Sequence, residues 1–104
     1  MQRLVFCLLV TVSMTLPSYA ASTPEQRGRA YAKANCSRCH AIGRSGESPF
    51  KPAPAFRTLH QHYPVETLGE ALAEGIVTGH PAMPQFELAP AQIHDLLSYL
   101  KSLE

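Results

Sequence analysis

The sequence predicts a small all-α domain of three to five helices. Two observations predict it: three segments carry a helix-start signature or apolar residues at helical spacing, and prolines in the stretches between them exclude a regular helix or a central strand. The chain has 104 residues, of which 45% are hydrophobic and 16% are charged. This is an ordinary globular balance for one domain and leaves no room for a second.

The first predicted helix begins with a capping signature at Thr23. Pro24 occupies the first helical position, and Gln26 follows the cap by three residues, as in a capping box. We expect the helix to run to about Asn35. Gly28 within it is less favourable than alanine, so we interpret it as a point of close contact with another helix; a tolerated surface glycine is the alternative.

Two further helices are predicted nearer the C-terminus. One opens at Pro64 and runs through about Glu74, where Gly75 marks its end, and the other begins at Pro90. Their apolar residues recur at helical spacing, which predicts faces buried in the core. These residues are Val65, Leu68 and Leu72 in the former helix and Ile93, Leu96, Leu97, Leu100 and Leu103 in the latter.

The N-terminal stretch has the pattern of a secretory signal peptide. Arg3 precedes an apolar run over residues 4–16, and a small-x-small pattern ends at Ala20. The run of roughly 13 residues is shorter than a membrane-spanning helix. We therefore predict a signal peptide over residues 1–20, cleaved after Ala20, and an exported, periplasmic domain over residues 21–104. An uncleaved N-terminal anchor is the alternative.

Two cysteines and a histidine lie within five consecutive positions, at Cys36, Cys39 and His40. A disulfide between cysteines so close in sequence closes a tiny loop and constrains little. A thioredoxin-like redox pair needs a βαβ pattern around it, and these flanks are helical or loop-like. Zinc needs two further ligands at finger-like spacing, whereas His60 and His62, on a predicted polar turn, are separated by one residue.

The fourth interpretation of C-x-x-C-H, and the one we favour, is a c-type haem attachment site. Cys36 and Cys39 would form thioethers with the haem vinyl groups, and His40 would ligate the iron. Two intervening residues let one helical turn reach both vinyl groups and aim the adjacent histidine at the iron from the same face. A covalently held porphyrin also supplies apolar mass that a chain of about 80 residues lacks.

With this motif the chain resembles the class I cytochrome c family over most of the sequence after residue 20. The resemblance implies a methionine ligand in a loop before the C-terminal helix. Met83, the sole methionine after the predicted signal peptide, lies there in the stretch from Thr78 to Phe86. His80, in the same loop, is the rival ligand and would give the iron a lower potential.

The resemblance also implies contacts around the haem. A proline carbonyl in the loop after the motif accepts a hydrogen bond from the ligand histidine, and an apolar residue two positions later lies against the haem. Pro54 and Phe56 match this pattern, with Pro52 as the competing choice. The family sets an aromatic four residues before the first cysteine, where this chain has Ala32 with Tyr31 beside it.

Two further implications concern helix packing and the haem pocket. The aromatic of the family's C-terminal helix meets the glycine of its first helix, which makes Tyr99 and Gly28 the expected pair. The expected lining of a dry haem pocket is Phe50, Phe56, Ile76 and Phe86.

These residues imply a one-electron carrier and not an enzyme. With His40 and Met83 on both axial positions, the iron offers no open site for a substrate. Two alternatives stay open. One is a five-coordinate haem protein that binds a diatomic gas or peroxide, and the other is the cytochrome subunit of a periplasmic dehydrogenase complex.

The charge pattern bears on the partners. Without Arg3 the chain is neutral, so no basic surplus points to nucleic acid. Most basic residues lie in residues 21–57 and most acidic ones in residues 58–104, which predicts a dipole that orients the protein toward an acidic docking face. The expected partners are a redox donor and acceptor protein, with no stable membrane insertion after signal cleavage, for a monomer or a subunit of a redox complex.

Overall fold

The computed structural model describes residues 11–15, 21–75 and 82–104. Within these ranges the chain forms three α-helices and two 3₁₀ helices and has no strand, which confirms the predicted all-α fold class. No helix of the described part is long and apolar enough to cross a membrane. Most of the predicted signal peptide lies outside the described residues and stays a prediction.

Helix α1 spans Pro24–Asn35 and begins as predicted. The Thr23 hydroxyl accepts a hydrogen bond from the Gln26 N–H at 3.1 Å, and the Gln26 side chain accepts one from the Thr23 N–H at 2.9 Å. Both bonds satisfy N–H groups that have no partner inside a first helical turn. The helix ends where the Cys36 N–H donates to the Ala32 carbonyl at 2.8 Å. The haem motif is thus held directly at the end of α1.

The second predicted helix has a tighter first turn than expected. A 3₁₀ turn, Val65–Thr67, precedes helix α2, Leu68–Glu74, which ends at Gly75 with a φ of 84°. The Thr67 N–H and hydroxyl both bond to the Pro64 carbonyl, at 3.1 and 2.7 Å. This pair of bonds favours i to i+3 geometry over the α-helical i to i+4 pattern. The prediction is right for the end of the helix and wrong for its first turn.

The other 3₁₀ helix, Phe56–Gln61, was not predicted from the sequence. It contains His60, which was expected on a polar turn and lies exposed on this helix. The Ala55 carbonyl starts it by accepting bonds from the N–H and hydroxyl of Thr58, at 3.0 and 2.7 Å. The helix buries Phe56 and Leu59 on one side. The segment after the proline-rich loop therefore contributes two side chains to the core.

Helix α3 spans Pro90–Ser102 and packs against α1 as the main helix pair of the described fold. The Gln92 side chain accepts from the Ala89 N–H at 2.9 Å and caps its start. The apolar face predicted for α3 lies in the core. The buried core residues are Ala32, Phe56, Leu59, Val65, Leu72, Leu88, Leu96, Tyr99, Leu100 and Leu103.

The structure confirms Gly28 as the close contact between α1 and α3. A Cβ atom at this position would lie 2.0 Å from the Asp95 carbonyl oxygen and 2.8 Å from the Tyr99 Cβ. Only glycine fits this approach of the two helices. Tyr99, the predicted partner, also donates its hydroxyl to the Ile42 carbonyl at 2.5 Å and so ties α3 to the segment that follows the haem motif.

An ion pair joins the two helices beside this contact. The Arg27 guanidinium donates to both carboxylate oxygens of Asp95, each at 3.0 Å, and its third bond goes to the Ser22 carbonyl. The hydrogen bonds from Arg27 hold the pKa of the Asp95 carboxyl below its usual value, and the positive charge acts in the same direction. The pair therefore fixes the start of the domain onto α3.

We expect the Asp95→Asn variant to be slightly less stable than the wild type near neutral pH, with a difference that disappears in acid. Because the folded state lowers the pKa of this carboxyl, its contribution is complete above the unfolded pKa of about 3.9 and is lost as the pH falls through the folded-state value. The effect is small because the Arg27 side chain is half-exposed, so that solvent screens the pair. Thermal unfolding of both proteins from about pH 7 to pH 3 measures it. A constant difference across this range would contradict the ion pair as its cause.

Candidate functional site

The haem motif forms a single turn at the end of α1. The N–H groups of Cys39 and His40 both point to the Cys36 carbonyl, at 3.2 and 2.9 Å. All three side chains are half-buried, and the two cysteines are not joined in a disulfide. Burial raises the pKa of the Cys36 thiol to about 11, so the site favours an uncharged sulfur. The sulfur of a thioether bond to haem is likewise uncharged.

The ring of His40 is held in one orientation by its Nδ1 atom, which lies 2.7 Å from the Pro54 carbonyl oxygen. A carbonyl only accepts, so Nδ1 carries a proton, and in the neutral imidazole the Nε2 atom is the one that offers a lone pair to a metal. Of the two prolines considered, Pro54 supplies the carbonyl and Pro52 does not. Phe56 packs against the same ring, with centroids 5.0 Å apart and planes inclined at 44°.

One wall of a large cavity carries these groups. The cavity has a volume of about 940 Å³ and is lined largely by apolar side chains, with no Asp or Glu among the described lining residues. Two sulfurs and an imidazole on an apolar wall fit a covalently held haem, whose porphyrin needs apolar surroundings and whose iron needs a nitrogen ligand. Of the expected pocket lining, Phe50, Phe56 and Phe86 line this cavity, and Ile76 lies outside the described residues.

Met83 lies on the wall of the same cavity and is half-buried. Its segment is anchored to α2, because the Leu88 N–H donates to the Leu72 carbonyl at 2.9 Å and Gln85 reaches the Gly75 carbonyl at 3.4 Å. The fold thus brings Met83 and His40 to one cavity from segments that are distant in sequence. The rival ligand His80 lies outside the described residues.

Several lining residues were missed by the sequence reasoning. His62, expected to be solvated, is exposed but also lines the cavity, and Tyr63 and Leu59 line it as well. No local pattern marks these positions, because the unpredicted 3₁₀ helix and the turn after it place them there. Tyr31 also faces the cavity, while the neighbouring Ala32 is fully buried in the core. An aromatic side chain therefore lines the cavity from this part of α1, one position before the one that the family resemblance implies.

Among the described residues, no group of three or more His, Cys, Asp or Glu side chains can hold a metal ion. The zinc alternative therefore has no ligand set in this part of the chain. A haem site differs from such a cluster, because the porphyrin itself supplies four of the nitrogen ligands to the iron.

The model of the cytochrome c family matches residues 25–104 of the chain. The chain belongs to the cytochrome c family. This cytochrome is 38% identical over 79 residues to a cytochrome c-553-like protein of Synechocystis sp., covering 74% of this chain and 67% of that protein. It is 27% identical over 97 residues to a cytochrome c-552 of Bradyrhizobium diazoefficiens, covering 93% of this chain and 90% of the relative. No solved structure matches it significantly.

Membership of this family confirms the cofactor and the class of activity. The cytochrome binds haem c with its iron, and Cys36 and Cys39 stand in the C-x-x-C-H spacing of covalent attachment. It is an electron-transfer protein and not an enzyme. Its partners are therefore redox partners.

Proposed function

We propose that this cytochrome is a periplasmic one-electron carrier whose haem iron is ligated by His40 and Met83. Cys36 and Cys39 hold the haem as thioethers. The observation that carries the proposal is the shared cavity. Its wall holds a histidine whose Nδ1 bonds to the Pro54 carbonyl and the chain's one methionine after residue 20. Two axial ligands from the protein leave no position for a substrate.

The residues around the site set its redox properties. Haem c supplies a one-electron iron couple when it is bound. The Pro54 carbonyl fixes the His40 ring and raises its basicity as a ligand. A methionine thioether and an apolar wall that includes Phe56 disfavour the additional charge of the ferric state. The expected potential is therefore positive.

The proposed location follows from residues 1–20, which we interpret as a cleaved signal peptide. Cleavage after Ala20 leaves the whole of α1 intact, because this helix starts at Pro24. The new N-terminus would lie beside Ser22, whose carbonyl accepts a hydrogen bond from Arg27. Mass spectrometry of the protein from the periplasmic extract and from the membrane fraction tests this, and retention of residues 1–20 in membrane-bound protein would instead support the N-terminal anchor.

The ligand set is tested by visible spectroscopy. We expect the protein, expressed with a haem-attachment system, to give low-spin ferric and ferrous spectra. Adding carbon monoxide should leave the ferrous spectrum unchanged. Both results follow if two strong axial ligands occupy the iron. A spectral shift with carbon monoxide would contradict the proposal and favour the five-coordinate haem protein. Co-purification of an intact dehydrogenase would identify the cytochrome as its subunit rather than a free shuttle.

A further inference from the structure

His62 lies where the haem cavity meets a second, smaller cavity at the surface. The smaller cavity has a volume of about 380 Å³, and His62 and Tyr63 line both cavities. The N–H groups of these two residues donate to the Leu59 carbonyl at 3.0 and 3.3 Å, which fixes the turn at the end of the 3₁₀ helix. Because His62 is exposed, it exchanges protons with water while it also lines the haem cavity.

The smaller cavity surrounds His62 with charges from three parts of the fold. The 3₁₀ helix contributes His60, the turn before α2 contributes Glu66, and the C-terminal end of α3 contributes Lys101 and, just after it, Glu104. Lys101 and Glu66 are bonded to each other, so their charges largely cancel. These four residues do not line the haem cavity in the described structure. They therefore form a background that is nearly the same before and after electron transfer.

The haem cavity faces His62 with a mostly apolar wall. The ionisable side chains among its described lining residues are Tyr31, Cys36, Arg38, Cys39, His40, His62 and Tyr63. The cysteines become thioethers, and His40 is the iron ligand of the proposed site. Histidine is the side chain that ordinarily changes its charge between pH 5 and pH 8. His62 is thus the described lining residue suited to bind and release a proton near neutral pH.

The charge on the haem iron decreases by one when the iron is reduced. A cavity of 940 Å³ is on the order of 10 Å across, and its apolar lining screens a charge less than water does. Removing one positive charge at such a distance strengthens proton binding by about threefold where solvent screens one side. The affinity of His62 for a proton should therefore be higher in the ferrous protein than in the ferric protein.

We propose that His62 is a redox-linked protonation site, which takes up a proton when the haem is reduced and releases it when the haem is oxidised. The electron comes from a donor protein and the proton from water, and oxidation returns the electron to an acceptor and the proton to water. The inference goes beyond electron transfer, because it makes the reduction potential depend on pH near neutrality. It rests on the haem cavity and not on which residue is the sixth iron ligand.

The test is a potentiometric titration of the haem-loaded protein between pH 5 and pH 8. We expect the wild-type potential to fall by about 30 mV as the pH rises, which is a threefold change in proton affinity converted at 59 mV per tenfold. His62→Gln should abolish this step. The control His60→Gln should keep it, because His60 is also exposed on the same 3₁₀ helix but lines only the smaller cavity.

Proton NMR of the His62 ring provides a second measurement on the unaltered protein. Its titration should show a proton affinity about threefold higher in the ferrous than in the ferric state. An equal affinity in both states would overturn the inference. A step in potential that persists in His62→Gln would also overturn it, because the proton would then bind elsewhere, for example to a carboxylate of the haem itself.

Visible spectra separate these failures from a failure of the proposed function. If the wild type binds carbon monoxide, the ligand set of His40 and Met83 is wrong whatever the pH dependence shows. If the wild type does not bind carbon monoxide but His62→Gln does, His62 is itself an iron ligand. That result would overturn both its role in proton uptake and the ligation by Met83.

Discussion

Replacing Met83 by alanine is expected to open the sixth position of the haem iron. The variant should bind carbon monoxide in the ferrous form and lose its low-spin spectrum, because no other methionine follows residue 20. Its reduction potential should also fall, since the thioether that favours the ferrous state is gone. Spectra with and without carbon monoxide and a potentiometric titration measure both effects.

Met83→His is the matched control for this experiment. An imidazole refills the axial position, so this variant should stay low-spin and indifferent to carbon monoxide while its potential is lowered. Different axial ligands spread the reduction potentials of haem proteins over about 0.8 V. We expect this single exchange to lower the potential by a fraction of that span, on the order of 0.1 V. If Met83→Ala instead keeps a low-spin spectrum and ignores carbon monoxide, another side chain is the ligand. His62, on the wall of the same cavity, would be the first described residue to replace.

Most of the features predicted correctly from residue patterns alone are those that neighbouring residues determine. The cap of α1 needs only Thr23, Pro24 and Gln26, whose bonds span three positions. The haem motif is similarly local, because one turn of backbone joins its cysteines and histidine. Gly28 and Tyr99 were paired through the family resemblance, and the close helix contact confirms that pairing.

The features that needed the structure depend on contacts between distant segments. The family resemblance favours Pro54 over Pro52, which residue patterns alone do not separate, and the path of the loop brings the Pro54 carbonyl to His40. The 3₁₀ helix Phe56–Gln61 carries no periodic pattern long enough to recognise, since its six residues form two turns. For this reason the cavity-lining positions that follow it were missed.

Folding also brings charges of the basic half next to charges of the acidic half. The sequence divides into a basic and an acidic half, which predicts a dipole. In the structure Arg27 of the basic half is paired with Asp95 of the acidic half, and Lys101 is paired with Glu66. These pairs reduce the long-range separation of charge.

Replacing Gly28 by alanine is expected to give the largest loss of stability among the substitutions discussed. The new Cβ would lie 2.0 Å from the Asp95 carbonyl oxygen, a backbone atom that cannot move without shifting α3. Overpacking of this kind costs on the order of 3 kcal/mol. In a domain of this size such a cost lowers the melting temperature by roughly 10–20 °C. Thermal unfolding of the haem-loaded variant measures it.

Gly69→Ala provides the matched control, because it makes the same chemical change in α2 where there is room for a methyl group. Its Cβ would lie 3.7 Å from a Leu97 methyl carbon, an ordinary contact. Alanine also favours the helix by roughly 0.5–1 kcal/mol over glycine, so the melting temperature should stay constant or rise. If both variants lose the same stability, the close approach of α1 and α3 is not what makes glycine necessary at position 28. If only Gly28→Ala unfolds early, this helix contact stabilises the wall that carries the haem motif.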